Sequence, residues 1–216
     1  MKGLLIKDMY MSKVMMILTY IIAAFGFVFL VLTKSPFFMV FPLYMTGMNA
    51  IQLCSSDVMN GWSKYSQMLP LSRKDMVRAR YATLAIPSLI CTLICSGLHI
   101  LADFISGASE AMTFAEYTVI PAVYLFCAVF TACPVIPSIF GSKVDNNGII
   151  KFVCIMFSMI VVMAVFFTVF VPDELDIVPD VKRTARLMSM ILPPVTVLAL
   201  VCSYPLTVKL YERKDL

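Results

Sequence analysis

The side chains best suited to chemistry lie in one polar, basic segment, DVMNGWSKYSQMLPLSRKDMVRARY, between Asp57 and Tyr81. Its apolar residues recur at the spacing of an amphipathic helix, with Lys64 on another side of that helix. An apolar stripe with aromatic anchors beside basic side chains is typical of a surface that binds another protein. The same composition also suits an anchor at the lipid headgroups. The stripe consists of Val58, Trp62, Tyr65 and Leu69.

Catalytic motifs are missing from the sequence. With a single histidine, His99, the chain has no HExxH zinc motif, and it also lacks the GxSxG and GxxxxGK[ST] patterns. Cys91 and Cys95 share a helix face, but no CxxC pair or nearby acidic cluster accompanies them. We therefore predict no enzymatic activity, no metal site and no cofactor bound by this chain itself.

The rest of the chain is strongly apolar, with 61% hydrophobic and only 14% charged residues. Such a composition leaves too little polar sequence to cover a soluble surface. Apolar runs of about 20 residues, each long enough to cross a bilayer as a helix, predict an all-α integral membrane protein with a single transmembrane domain over residues 1–216. The predicted spans are residues 14–33, 36–56, 81–102, 117–140, 151–172 and 187–208.

The distribution of basic residues predicts the orientation, because Lys and Arg near span ends are biased to the cytosolic side. Placing both termini in the cytosol puts most Lys and Arg there and collects acidic residues such as Asp103 and Glu110 in the outer loops. The predicted location is therefore the cell membrane. Four basic residues fall outside: Lys34, Lys182, Arg183 and Arg186.

Local patterns refine this topology. Met1 to Lys13 interleaves apolar and charged residues, which favours a short interfacial helix leading at an angle into the first span. Ser72-Arg73-Lys74-Asp75 matches a capping box that starts the third span. In the second span, Asn49 and Gln52 carry amides that suit either interhelical hydrogen bonds or contact with a substrate. The remaining signals are prolines expected to kink or end helices: Pro87, Pro134, Pro137, Pro193, Pro194 and Pro205.

The chain resembles a bacterial type-2 ABC exporter permease. The resemblance rests on its six spans, the N-terminal segment MKGLLIKDMY and the basic loop after span two. In the loop the resemblance rests on Trp62, Leu69-Pro70-Leu71-Ser72-Arg73 and Arg80-Tyr81. The chain is especially similar to small six-span permeases of Gram-positive bacteria, a group that includes exporters of phenol-soluble modulin peptides.

The resemblance implies that two permease subunits pair, as a homodimer or a heterodimer, and that each binds a separate cytosolic ATPase subunit, which holds ATP and Mg. It implies a cytosolic coupling helix between spans two and three, from Asp57 to Leu69, that enters a cleft on the ATPase. The resemblance does not identify the substrate, because related permeases handle peptides, antibiotics and lipid-linked material. Our own hypothesis is export of amphipathic peptides or other lipophilic compounds, with Asn49 and Gln52 on the substrate pathway. The implied docking residues are Asp57, Trp62, Lys64, Tyr65, Leu69, Arg73 and Lys74.

Two other functions remain compatible with the sequence. A substrate-binding membrane module of a vitamin-uptake system also has about six spans and no ATPase motif, although it does not need the long amphipathic segment. A regulatory membrane protein would instead use the cytosolic loop to recruit a signalling partner.

Overall fold

In a computed structural model, residues 2–60, 62, 72–106, 114–141, 147–170 and 181–213 of the chain are described. Every regular element in these ranges is helical. A short 3₁₀ helix, Pro36–Met39, precedes the second long helix. The α-helices are α1 (Lys2–Thr33), α2 (Val40–Met59), α3 (Arg73–Ile105), α4 (Phe114–Phe130), α5 (Val135–Gly141), α6 (Asn147–Phe170) and α7 (Val181–Glu212).

Six helical segments are long and apolar enough to cross a membrane, which confirms the predicted all-α membrane fold. The fourth span combines α4 with α5. The segments are Gly3–Thr33, Pro36–Asp57, Arg73–Ile105, Tyr117–Phe140, Ile149–Phe166 and Met190–Glu212.

The bundle exposes apolar side chains, as a protein dissolved in lipid does. Phe25 of α1, Leu93 of α3 and Phe152 of α6 are each more than half exposed. By contrast, α4 is largely buried and packs against α2, α3, α6 and α7. The fourth span is therefore the centre of the bundle, whereas α1, α6 and α7 present broad faces to the surroundings.

Gly47 permits the close approach of α2 to α4. A β-carbon at this position would lie 2.8 Å from the Ala128 carbonyl oxygen and 2.8 Å from the Thr131 β-carbon. Both distances are below van der Waals contact, so the packing of these two helices requires glycine here. Small residues at such crossings are typical of helix pairs in membranes.

The N-terminal segment does not form the separate angled helix that the sequence predicted. Instead, α1 continues without interruption from Lys2 to Thr33. No proline lies in this stretch to break the hydrogen-bond ladder, and the charge at Asp8 is buried against α3 rather than exposed at an interface. The N-terminal residues are thus a direct extension of the first span.

The fourth span is interrupted next to Pro134. Residues Thr131 to Pro134 form a turn between α4 and α5, as predicted for this proline. In a regular helix the Cys133 carbonyl would accept a hydrogen bond from the residue four positions later, but that residue is Pro137, which has no N–H. Ser203 of α7 supplies the missing donor, with its hydroxyl 2.7 Å from the Cys133 oxygen. Four other prolines of the predicted set lie within continuous helices and therefore do not end them: Pro87, Pro193, Pro194 and Pro205.

Candidate functional site

Arg80 of α3 lies buried between two carboxylates from different helices. Its guanidinium Nη1 is 2.5 Å from Oδ2 of Asp8 in α1, and its Nη2 contacts Oδ2 of Asp57 near the end of α2. Arg80 is only 4% exposed and Asp8 is fully buried. Charges removed from water in this way need opposite charges close by, so the three helices are held in one mutual arrangement.

Lys7 completes a charge cluster, which we define as Lys7, Asp8, Asp57 and Arg80. Its ammonium Nζ donates to Oδ1 of Asp57 over 3.0 Å and lies 3.9 Å from Oδ1 of Asp8. Two positive and two negative groups make the cluster formally neutral. Neutrality is what allows four ionisable side chains to sit at the end of a membrane bundle.

Trp62 contacts both the charge cluster and the apolar core of the helix bundle. The Lys7 ammonium is 4.0 Å from the centre of the Trp62 ring, which is a cation–π contact. The indole is half-buried and packs against an apolar cluster of α2, α3, α5 and α7 that includes Cys54, Val77 and Ile136. Trp62 therefore joins the start of the predicted docking segment to the helices.

The other end of that segment is fixed to the C-terminus of α7. Ser72 caps α3, with its hydroxyl 3.1 Å from the Asp75 N–H, which confirms the predicted capping site. Arg73 then donates from Nη1 to the carbonyl oxygens of Tyr211 and Glu212, over 3.3 and 3.0 Å. A cation at the end of a helix satisfies its free carbonyls and its dipole.

The predicted docking residues thus separate into groups. Asp57, Trp62 and Arg73 contact other helices of the same chain. Lys74 is 61% exposed by its side chain and lies 4.0 Å from Glu212, so its ammonium faces the surroundings. Lys64, Tyr65 and Leu69 lie outside the described residues, as does most of the predicted coupling helix.

The two predicted pathway residues lie in different environments. Asn49 is 8% exposed and lines a cleft between α1, α2 and α3. Gln52, three residues later on α2, is exposed. Only Asn49 therefore faces the inside of this bundle.

His99 is a paired polar residue, as the sequence indicated. Its ring Nδ1 is 2.6 Å from the Tyr124 hydroxyl, and its Nε2 is 3.7 Å from Oδ2 of Asp103. Asp103 was expected in an outer loop but lies buried within α3. One helical turn separates it from His99, which explains its position on the same face.

A second polar network begins at the residue after Arg80. The Tyr81 hydroxyl contacts the Ser203 hydroxyl and is 2.8 Å from that of Thr207. Ser203 in turn donates to the freed Cys133 carbonyl. Consecutive residues of α3 therefore hold the charge cluster on one side and the interrupted fourth span on the other.

Sequence reasoning missed Lys7, Asp8 and Arg80 as members of one cluster. One signal was present, because Asp8 is the only acidic residue before Asp57. A lone acid in a basic, apolar stretch needs a cationic partner if it is buried. The identity of that partner required the helix packing.

Among the described residues, no group of three His, Cys, Asp or Glu side chains is arranged to hold a metal ion. No curated protein and no solved structure matches the chain. A family model described as ABC-2 family transporter protein matches residues 3–212. This match runs from the first turn of α1 to the last residue of α7 and includes the segment that joins α2 to α3. The chain belongs to the ABC-2 family of transporter proteins and is a membrane-spanning permease subunit of a type-2 ABC transporter.

Proposed function

We propose that this permease pairs with a second permease subunit and binds a separate cytosolic ATPase subunit through residues 57–74. On this proposal ATP and Mg bind to the ATPase, both termini are cytosolic, and the complex lies in the cell membrane. The transported compounds are amphipathic peptides or other lipophilic molecules, moved outward. Family membership supports the general arrangement of permease and ATPase.

The observation that carries the proposal is that described residues on both sides of positions 63–71 contact other helices of the permease. On the α2 side, Asp57 and Trp62 are held by Arg80 and Lys7. On the α3 side, Arg73 is held by the last carbonyls of α7. A force applied to this segment by a partner would therefore reach α1, α2, α3 and α7 together.

On this proposal the docking residues have separate roles. Trp62 and Arg73 secure the segment to the bundle, because their side chains contact other helices of the permease. Lys74 is available for acidic groups of the ATPase, since most of its side chain is exposed. Exposed charges of this kind mainly affect the rate and orientation of association. Lys64, Tyr65 and Leu69 would supply the remaining contacts.

Charge supports a cytosolic position for this end of the bundle. The N-terminal parts of α1 and α3 are rich in basic residues. These include Lys7, Lys13, Arg73, Lys74, Arg78 and Arg80. These two regions meet through the Arg80–Asp8 contact. A concentration of basic residues at one end of the spans favours the cytosolic side.

Photo-crosslinking in native membranes tests the docking surface. A photoreactive amino acid at Lys74 should capture a soluble P-loop ATPase, identified by mass spectrometry. The matched control carries the same amino acid at Phe152, an exposed α6 position that should face lipid. Capture of the ATPase from both positions, or from neither while the chain remains inserted, would contradict docking at residues 57–74.

A further inference from the structure

Asp103 carries a buried carboxyl group at the end of the bundle opposite the charge cluster, about 35 Å along α3 from Arg80. The residue is 8% exposed, and its Oδ2 is buried without a hydrogen-bond partner in the described part of the chain. His99 Nε2 lies 3.7 Å from this oxygen, which exceeds the usual length of a hydrogen bond by about 0.5 Å. A carboxylate withdrawn from water in this way needs a positive charge or a proton to neutralise it.

Tyr124 of α4 fixes the other side of the imidazole. Its hydroxyl is 2.6 Å from His99 Nδ1, so one of these two atoms donates a hydrogen bond to the other. A neutral imidazole has one N–H donor and one acceptor nitrogen. The direction of the hydrogen bond at Nδ1 therefore decides whether Nε2 is a donor or an acceptor toward Asp103.

Two arrangements of protons are compatible with these contacts. If the Tyr124 hydroxyl donates to Nδ1, Nε2 carries the ring proton and faces an ionised Asp103, which leaves the pair negatively charged. If Nδ1 instead donates to the Tyr124 oxygen, Nε2 is an acceptor, and a protonated Asp103 carboxyl can donate to it. The second arrangement holds one more proton and is neutral. Surroundings that exclude water favour the neutral arrangement.

The described neighbours of this pair supply no positive charge. Among the described residues, no Lys or Arg lies within ion-pair distance of Asp103. Besides Asp103, the titratable groups close to Tyr124 are Cys95 on α3 and Cys127 on α4, and a thiol carries no positive charge. The same core takes apolar side chains from α1, α2 and α7, among them Leu30, Leu43 and Leu192. Within the described structure, a proton bound by the pair itself is therefore what neutralises the carboxyl.

We propose that His99 and Asp103 bind one proton between them and form a proton-binding site at this end of the bundle. In the bound state the Asp103 carboxyl donates to Nε2, and Nδ1 donates to the Tyr124 oxygen. On release, the carboxyl proton moves to Nε2, the Nδ1 proton leaves to water, and the Tyr124 hydroxyl turns to donate to Nδ1. The Asp103 side chain keeps 11% of its surface exposed, which gives the proton a route to water. Access from outside the cell rests on the proposed orientation, whereas the binding itself does not.

The single histidine of the chain makes the test specific. His99 is the only histidine, so ¹⁵N-histidine labels one site when the full chain carries an affinity tag without histidine. Ring ¹⁵N chemical shifts in lipid nanodiscs distinguish the Nδ1–H tautomer, the Nε2–H tautomer and the imidazolium. At neutral and mildly acidic pH we expect the Nδ1–H tautomer, together with the infrared C=O stretch of a protonated carboxylic acid. The Nε2–H tautomer should replace it as the pH is raised.

Matched variants assign the proton to this pair. Asp103→Asn should abolish the C=O band and the change of tautomer with pH, because its amide has no proton to release. Asp75→Asn makes the same substitution near the start of α3 and should leave both signals as in the wild type. An imidazolium that disappears in Asp103→Asn would place the same proton on His99 and would also support the site.

Two results would overturn the inference. One is the Nε2–H tautomer at every pH with no C=O band that depends on Asp103, which would show that water or a cation outside the described residues, such as Arg186, neutralises the carboxylate. The other is a tautomer change that is identical in Asp103→Asn. Both faces of a nanodisc meet the same buffer and no ATPase is present. The result is therefore independent of the proposed orientation and of the proposed docking.

Discussion

Arg80 of α3 and Asp57 of α2 form a buried ion pair, which closes the gap between the two helices that flank the predicted docking segment. Asp8 and Lys7 bring α1 into the same contact. Buried ion pairs add little net stability compared with apolar packing, but breaking one is costly. The cluster therefore fixes relative positions more than it raises overall stability.

Arg80→Gln should destabilise the permease strongly. The change leaves Asp8 and Asp57 buried with only Lys7 nearby, and loss of one partner from such a cluster costs about 3–5 kcal/mol. The matched control is Arg78→Gln, because the Arg78 side chain is 58% exposed and its contacts lie at the surface, 3.9 Å to Asp75 and a hydrogen bond of 3.2 Å to the Tyr204 hydroxyl. Thermal unfolding in detergent should show a large loss for Arg80→Gln and almost none for Arg78→Gln.

Adding Asp8→Asn to Arg80→Gln should restore part of that loss, because it removes one of the two orphaned carboxylates. The double variant should be more stable than Arg80→Gln alone, which is a non-additive result. Strictly additive losses would show that Asp8 and Arg80 do not interact.

Gly47→Ala should lower stability, whereas Gly97→Ala should not. The added methyl at position 47 meets the Ala128 carbonyl and Thr131 at 2.8 Å, but at position 97 nothing lies within 4 Å. Alanine also favours a helix over glycine by about 1 kcal/mol, so Gly97→Ala should be neutral or slightly stabilising. Equal thermal stability of the two variants would argue against close packing of α2 on α4.

Ser203→Ala should destabilise the interrupted fourth span. Its hydroxyl donates to the Cys133 carbonyl and contacts Tyr81, and an unsatisfied buried group costs about 1–3 kcal/mol. Pro137→Ala restores a backbone N–H four residues after Cys133. In the Ser203→Ala background, Pro137→Ala should therefore recover stability. If Pro137→Ala is equally harmful with and without Ser203, the Cys133 carbonyl is not the shared element.

Trp62→Ala should reduce substrate-stimulated ATP hydrolysis in the complete complex without loss of membrane insertion. The indole connects the docking segment to Lys7 and to the core around Ile136, so its removal frees one end of the segment. Trp62→Phe keeps an aromatic ring and should retain part of the coupling. Normal transport and hydrolysis in Trp62→Ala would reject this connection.

Composition and charge were enough to predict the six spans, because each apolar run reaches the length that a bilayer requires. The cap at Ser72 and the interruption at Pro134 were also predictable, since both depend on neighbouring residues. The charge cluster was not predictable. Asp8, Asp57 and Arg80 are distant in sequence and meet only because three helices pack together. For the same reason, the continuous α1 was missed: the charge at Asp8 indicated an interface, but its partner Arg80 allows it to be buried.

The most direct test is purification of the tagged, full-length permease from its native membrane in mild detergent, with identification of the proteins that accompany it. The proposal predicts stoichiometric recovery of a soluble P-loop ATPase, with recovery strongly reduced by combined Trp62→Ala and Tyr65→Ala substitution. Absence of any such ATPase, under conditions that keep other membrane complexes of the same cells intact, would contradict the proposed docking.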